Sequence, residues 1–210
     1  MNRRLVAPVL GLSLAFSSFA IAGTEIKEYK QSIVETPFDK GRWEFQIGAG
    51  AFTSTQPTTD ERPDFTDVDV TLRGGMMLTS PSSEGFFRGN FEFLIEAYGA
   101  ALVDGPGTGY AGAALMIRYN FIQPDSNWVP YFQIKAGGVY NDIYQDDEQR
   151  VFGRALEFDL GGGLGLRYLC SDHFALFVEA DYRHISNANT ADRNYGLNAL
   201  GGFLGASLFY

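Results

Sequence analysis

Apolar and polar residues alternate with a period of two along most of the chain from Trp43 onward, and clusters of Gly, Pro, Asn, Asp and Ser interrupt the alternation. This pattern is typical of β-strands with one apolar face, because successive side chains of a strand point to opposite sides. The chain is therefore predicted to be all-β, with one domain over residues 41–210. We expect eight strands, near residues 42–52, 65–78, 86–98, 110–122, 129–140, 154–169, 173–186 and 196–210.

The alternate positions of these predicted strands, which face away from the apolar side, carry charges of both signs. Among the charged residues in this phase are Glu44, Asp69, Arg73, Glu96, Arg118, Lys135, Asp159, Arg167, Glu179 and Arg183. Two architectures fit such a pattern. One is an outer-membrane barrel with lipid outside and a salt-bridged interior, and the other is a secreted lipocalin-like barrel with an apolar cavity and charges in water.

Three features favour the membrane. The chain ends in an apolar alternation that closes on the aromatic Tyr210, and aromatic residues recur near the predicted strand ends. The connections also alternate in length, as in outer-membrane barrels with short periplasmic turns and long outer loops. The short ones are 79–85, 123–128 and 170–172, and the long ones are 53–64, 99–109, 141–153 and 187–195. We therefore expect an eight-stranded antiparallel transmembrane β-barrel of the bacterial outer membrane.

The amino terminus predicts export. Arg3 and Arg4 precede an uncharged run over residues 5–21, and Ala20-Ile21-Ala22 offers the small residues that a signal peptidase requires. We expect residues 1–22 to be a cleaved signal peptide. Residues 23–40 show no sustained period and are interpreted as a periplasmic tail.

Composition excludes several classes of partner and cofactor. The net charge is −9, and removing Arg3 and Arg4 from the 16 basic residues leaves 14 against 25 acidic ones, a formal charge of −11. Nucleic acid is therefore not expected as a partner. With the single Cys170 and only two histidines, His173 and His184, a Cys/His zinc cluster is excluded by counting, and no metal or other cofactor is expected.

Three polar residues are predicted to converge on the apolar face. If both chain ends are periplasmic, the seventh strand ends and the eighth begins at the extracellular rim. His184 and Ser186 continue the apolar phase of the seventh strand, and Asn198 shares the phase of Leu200 and Leu204 in the eighth. A base and a hydroxyl together on a lipid-facing wall suit a hydrolase whose substrate is itself a lipid.

The sequence around these residues resembles a known family. The run Tyr182-Arg-His-Ile-Ser-Asn-Ala188, followed by Asn194-Tyr-Gly-Leu-Asn198, closely resembles the lipid A 3-O-deacylase family, the PagL-like acyloxyacyl hydrolases of the Gram-negative outer membrane. The resemblance implies an eight-stranded barrel whose Ser/His/acid triad removes the ester-linked 3-hydroxyacyl chain of lipid A, the lipid anchor of lipopolysaccharide. It also implies that Ser186 is the nucleophile and His184 the base, and that Asn198 stands where the deacylases use Glu.

An asparagine in this place changes the chemistry, because an amide oxygen can accept the imidazole N–H but supplies no charge. Asp192 in the adjoining loop is an alternative acid. A tetrahedral ester intermediate also needs hydrogen-bond donors for its oxyanion. For that role we expect Asn187 and the backbone N–H groups around Ala188 and Asn189.

Three functions from different classes remain open on the sequence. The first is a lipid A esterase with lipid A or lipopolysaccharide as substrate and outer-membrane lipid around it. The second is a catalytically silent structural or adhesive barrel, which Asn198 favours, whereas His184, Ser186 and Asn187 together favour catalysis. The third is a small porin or carrier, which an eight-stranded interior crowded with charge disfavours. A homodimer is also left open.

Overall fold

The computed structural model describes residues 36–82 and 84–210, so the predicted signal peptide and residues 23–35 of the predicted tail lie outside it. Two short 3-10 turns cover Gly85–Phe87 and Ile143–Gln145. In the part of the chain that is described, no helix is long and apolar enough to cross a membrane. The strands are β1 Trp43–Ser54, β2 Thr66–Met77, β3 Gly89–Asp104, β4 Gly109–Phe121, β5 Trp128–Asn141, β6 Leu156–Ser171, β7 Phe174–Ser186 and β8 Leu197–Phe209.

These strands form one closed antiparallel barrel. Each strand pairs with the next along the chain, and β8 pairs with β1 from Glu44↔Phe209 to Ser54↔Ala199. Two ends of the barrel can therefore be distinguished. The terminal end holds residues 36–42 and Tyr210, and the loop end holds the connections β1–β2, β3–β4, β5–β6 and β7–β8.

The alternation along each strand sorts the side chains between lipid-like and charged surroundings. In β7, for example, Val178 is 47% exposed on the outer face, whereas the neighbouring Glu179 is 4% exposed inside the barrel. Strands β1 to β6 also carry apolar side chains outside and buried charged or amide side chains inside, whereas the buried inward residues of β8 are Leu197, Ala199, Phe203, Ser207 and Phe209. The outer-membrane prediction is thus confirmed. The lipocalin-like alternative is wrong, because the apolar face is turned outward and the interior is filled with charge.

A network of ion pairs fills the middle of the barrel. Arg73 contacts Glu179 at 2.7 Å and Glu96 at 2.9 Å, and Lys135 contacts Glu96 at 2.7 Å. Arg118 donates to Gln133 at 2.8 Å and lies over the Tyr131 ring at 4.4 Å. Because these partners come from different strands, the network links strands that the backbone ladder does not join directly, and it occupies the space that a pore would need.

Apolar clusters close the barrel above and below this network. At the terminal end, Phe38 is 1% exposed and packs edge-on against Phe209 with ring centroids 5.5 Å apart. The side chain of Asn90 donates to the Phe38 carbonyl oxygen at 2.7 Å. The last residues of the predicted tail therefore enter the barrel mouth. The loop-end cluster includes Phe52, Phe65, Tyr98, Tyr110, Val139, Ile143, Val151, Phe152, Ile185 and Leu197.

The third strand differs from its prediction. Residues 86–88 lie outside it, because Gly85 has a φ of +63° and the chain forms a 3-10 turn through the exposed Phe86 and Phe87. At its other end β3 continues to Asp104 and pairs with both neighbours. The expected long loop 99–109 is thus reduced to residues 105–108, where two glycines have positive φ. The connection over residues 78–88 is longer than expected.

Removing one member of the interior network should destabilise the barrel far more than removing an outward residue beside it. Glu179 accepts from Arg73, Arg118 and Tyr131, so Glu179→Ala leaves two buried guanidinium groups with one partner fewer. We expect a loss of about 3–5 kcal/mol in the free energy of unfolding. The matched control Val178→Ala should change it by only about 0.5 kcal/mol. Urea unfolding in lipid vesicles measures both, and a larger loss at Val178 would contradict the assignment of faces.

Candidate functional site

The site is built by the pairing of β7 with β8 at the loop end. His184 lies directly opposite Asn198, and Ile185 lies opposite Leu197, in the last paired positions before the connection. Directly opposed residues hold their Cβ atoms about 5 Å apart, within reach of an imidazole and an amide. Ser186, two residues after His184, is on the same outward face because strand side chains repeat with a period of two.

The three side chains form one hydrogen-bonded line. His184 Nδ1 lies 2.8 Å from Asn198 Oδ1, and His184 Nε2 lies 3.0 Å from Ser186 Oγ. All three side chains are half-buried on the outer face, while Ile185 between them is buried inside the barrel. This is the arrangement of a nucleophile, a base and an orienting group.

Two further side chains hold the Asn198 amide. Tyr182 donates its hydroxyl proton to Asn198 Oδ1 at 2.6 Å. Gln56, from the β1–β2 connection, accepts at Oε1 from Asn198 Nδ2 at 3.1 Å and from the Asn198 backbone N–H at 2.8 Å. The amide oxygen therefore faces His184. Because this oxygen can only accept, the arrangement requires the proton on His184 Nδ1 and leaves Nε2 to accept from Ser186.

Asn187 lies inside the β7–β8 connection. Its side chain is 1% exposed, and Nδ2 donates to the Arg193 carbonyl at 2.7 Å. Its backbone N–H donates to Asn194 Oδ1 at 2.8 Å. The backbone N–H and the side-chain Nδ2 of Asn187 thus both donate within the connection. The expected oxyanion role of Asn187 stays a prediction, and it requires at least one of these hydrogen bonds to be released.

The other expected donors follow in a tight turn. Ala188 and Asn189 have φ angles of 52° and 62°, and the turn is closed by the Thr190 N–H donating to the Asn187 carbonyl at 3.1 Å. Within the described residues, neither the Ala188 N–H nor the Asn189 N–H donates a hydrogen bond. Asp192 is exposed in the same connection and is not brought to His184, whose Nδ1 already contacts Asn198.

The connection that carries the turn is fastened to the neighbouring β5–β6 connection. Arg193 donates to the carbonyl of Tyr144 at 2.6 Å and also to that of Asp146. Glu157, at the start of β6, accepts from the Gly153 N–H at 2.8 Å and from Asn187 Nδ2 at 3.5 Å. These contacts hold the segment that follows Ser186 in one place.

Close packing against the imidazole explains Gly196. This residue has a φ of +69°, and a Cβ atom there would lie 3.2 Å from His184 Cε1. Near Gly196, an open groove on the outer face extends from β6 across β7 to β8. Its lining consists of Leu160, Gly161, Gly162, Tyr182, His184 and Asn198. A glycine in the outward phase of β6 leaves this groove without a side chain opposite Tyr182.

Two contributors to the site were missed by reading the sequence. Tyr182 is one of the aromatic residues near a predicted strand end, and its position two residues before His184 also places it on the same face. Gln56 lies far away in the chain and carries no local signal. It reaches Asn198 because β1 closes against β8 and the pairing continues through Thr55, whose N–H donates to the Asn198 carbonyl at 2.9 Å.

Comparison with known proteins adds three findings. A family model described as lipid A 3-O-deacylase (PagL) matches residues 68–207. The crystal structure of the outer membrane enzyme PagL superposes with a TM-score of 0.56 at 17% identity, covering 76% of this chain and 97% of that chain. Neisserial surface protein A superposes with a TM-score of 0.51 at 13% identity, covering 81% and 98%. No curated protein sequence matches this chain.

Spin labels at the positions of His184, Ser186 and Asn198 should be exposed to lipid. Nitroxides attached at positions 184, 186 and 198, in a background with the exposed Cys170 replaced by Ser, should collide with lipid-dissolved oxygen because their side chains lie on the outer face. A label at position 179 should be immobile and shielded, since this side chain is buried among arginines. Equal accessibility at 179 and 186, measured by power-saturation electron paramagnetic resonance, would contradict the outward placement.

Proposed function

Because this chain belongs to the lipid A 3-O-deacylase (PagL) family of outer-membrane barrels, we propose that it hydrolyses the ester-linked 3-hydroxyacyl chain of lipid A. The observation that carries this proposal is the line from Ser186 through His184 to Asn198 on the lipid-facing wall. We place the loop end at the extracellular side, so that the line meets the outer leaflet, where lipopolysaccharide is the substrate. Export by a cleaved signal peptide stays a prediction, and a homodimer stays open.

The proposed reaction begins with the nucleophile. As Ser186 Oγ attacks the ester carbonyl carbon, its proton passes to His184 Nε2, which is 3.0 Å away. The carbonyl π electrons move onto the oxygen, and the N–H groups of Ala188 and Asn189, or Asn187 after release of a loop contact, are the candidate oxyanion donors. When the tetrahedral intermediate collapses, the sugar oxygen leaves and takes the proton from Nε2. Water then hydrolyses the acyl-serine by the same route.

The groove beside the site suits the substrate. It is open on the outer face, where acyl chains of the membrane lie, and His184 and Asn198 are part of its lining. An ester that enters along this groove stays within the apolar part of the membrane. The sugar of lipid A remains at the rim of the barrel.

The neutral Asn198 is the observation that favours a second candidate, a catalytically silent structural or adhesive barrel. In serine proteases, changing the triad Asp to Asn lowers kcat about 10⁴-fold, because the wrong imidazole tautomer is held. In this chain the amide oxygen faces Nδ1, which is compatible with the productive tautomer. We therefore favour the deacylase over the silent barrel. Because Asn198 is neutral, it stabilises the His184 imidazolium less than a carboxylate would.

Loss of either reacting side chain should abolish deacylation. Ser186→Ala and His184→Ala should each stop release of a 3-hydroxy fatty acid from lipid A, and the double variant should be no worse than either single one, because the residues act as a unit. Both side chains lie outside the packed interior, so the variants should still fold. Mass spectrometry of lipid A from cells expressing each variant measures the outcome, and heat-dependent gel mobility checks folding. Release by Ser186→Ala would overturn the proposed nucleophile.

Restoring a carboxylate should maintain or raise the rate. In Asn198→Glu, a negative charge beside the imidazole favours the imidazolium that forms during attack, so we expect turnover near neutral pH equal to or above that of the parent chain. The measurement is release of 3-hydroxy fatty acid from lipid A in detergent. Activity in Asn198→Glu alone would identify the parent as a silent member of the family, and inactivity in both would refute the enzymatic proposal.

A further inference from the structure

We propose that Gln56 is a positioning residue that makes an uncharged Asn198 usable in the triad, by fixing which atom of the Asn198 amide faces His184. The inference deepens the proposed function and rests on it for its kinetic consequences. Its structural part concerns the tautomer of His184 and can be tested without activity. Gln56 lies in the β1–β2 connection, half-buried beside β8.

The orientation of the Gln56 amide is set by backbone groups that cannot exchange roles. The Asn198 backbone N–H can only donate, and it faces Gln56 Oε1 at 2.8 Å. The Gly196 carbonyl can only accept, and Gln56 Nε2 donates to it at 3.2 Å. Turning the Gln56 amide over would oppose two donors at one end and two acceptors at the other. Gln56 therefore presents an oxygen to the site.

This oxygen in turn orients the Asn198 amide. Asn198 Nδ2 donates to Gln56 Oε1 at 3.1 Å. In the opposite orientation Asn198 Oδ1 would face Gln56 Oε1, and two acceptors would meet without a proton between them. Tyr182 donates its hydroxyl proton to Oδ1 at 2.6 Å in this orientation, but a hydroxyl can also accept, so it is Gln56 that selects the orientation.

The orientation of Asn198 then decides the state of the base. With Oδ1 at 2.8 Å, His184 Nδ1 carries the proton, and the lone pair of Nε2 faces Ser186 Oγ. A reversed Asn198 would place an NH₂ group against Nδ1, so that Nδ1 would become the acceptor and the neutral ring would carry its proton on Nε2. Ser186 would then have no base for its proton.

A carboxylate needs no such arrangement, because each of its oxygens accepts a hydrogen bond. Dependence on Gln56 is therefore a consequence of having an amide at position 198. In Asn198→Asp the second carboxylate oxygen would even face Gln56 Oε1, so loss of the glutamine should become harmless. This difference separates orientation of the amide from simple anchoring of the β1–β2 connection.

A double-mutant cycle tests the inference. Gln56→Leu should lower kcat for lipid A deacylation at least about tenfold in the Asn198 background, with KM little changed, because part of the population holds the unproductive tautomer. The same substitution should change kcat less than about twofold in the Asn198→Asp background, where the two sites are no longer coupled through an amide. Equal losses in both backgrounds would overturn the proposal and leave Gln56 as a loop anchor.

Two matched variants sharpen the cycle. Thr55→Val removes a side-chain bond to the Asn198 carbonyl but leaves the amide contacts in place, so it should retain the parental kcat. In Gln56→Glu, one carboxylate oxygen can still accept from Asn198 Nδ2, while the other faces the Gly196 carbonyl oxygen and cannot donate to it. This variant should therefore remain more active than Gln56→Leu if the acceptor is what matters, and the reverse order would contradict the proposal.

A spectroscopic readout separates this inference from the proposed function. His173→Gln leaves His184 as the single histidine of an untagged chain, and ¹⁵N-imidazole labelling then reports its tautomer. We expect the Nδ1–H form in the parent, a mixture with Nε2–H in Gln56→Leu, and Nδ1–H again in Gln56→Leu/Asn198→Asp. These results would support the inference even if no variant released an acyl chain. An unchanged tautomer in folded Gln56→Leu would overturn it.

Discussion

Closure of β1 against β8 is the constraint on which the rest of this structure depends. Lipid offers no hydrogen bonds to an exposed strand edge, so the first and last strands must pair. This pairing brings Phe38 and Phe209 together at one end and the β1–β2 connection to Asn198 at the other. The barrel mouth and the line of Ser186, His184 and Asn198 are thus both completed by segments from opposite ends of the chain.

Closure with eight strands also determines what the interior can hold. The barrel is narrow, so inward side chains from opposite walls meet, and in its middle they meet as ion pairs and cation–π contacts, with apolar clusters at both ends. Where a large ring occupies the lumen, a glycine lies against it, as Gly165 does against Tyr131 and Gly205 against Phe177. The filled interior leaves chemistry to the outer wall and the rim, which is where the His184 line lies.

The line itself illustrates how a neutral orienting group differs from a charged one. A carboxylate both selects the imidazole tautomer and stabilises the imidazolium, whereas an amide selects the tautomer only if its own orientation is held. Here the backbone at Gly196 and Asn198 orients Gln56, and Gln56 orients Asn198.

Local patterns determined the strands and their faces, because the period of two assigns each side chain to one side independently of distant residues. They were sufficient to place His184, Ser186 and Asn198 together, since these lie at the facing ends of two consecutive antiparallel strands. They did not predict the extent of β3, where pairing with β2 continues to Asp104 and leaves only residues 105–108 as the connection. Nor did they reveal Gln56 or the buried position of Asn187. Those contacts join segments that meet only after the barrel closes and its loop-end connections pack, and no sequence period encodes such a meeting.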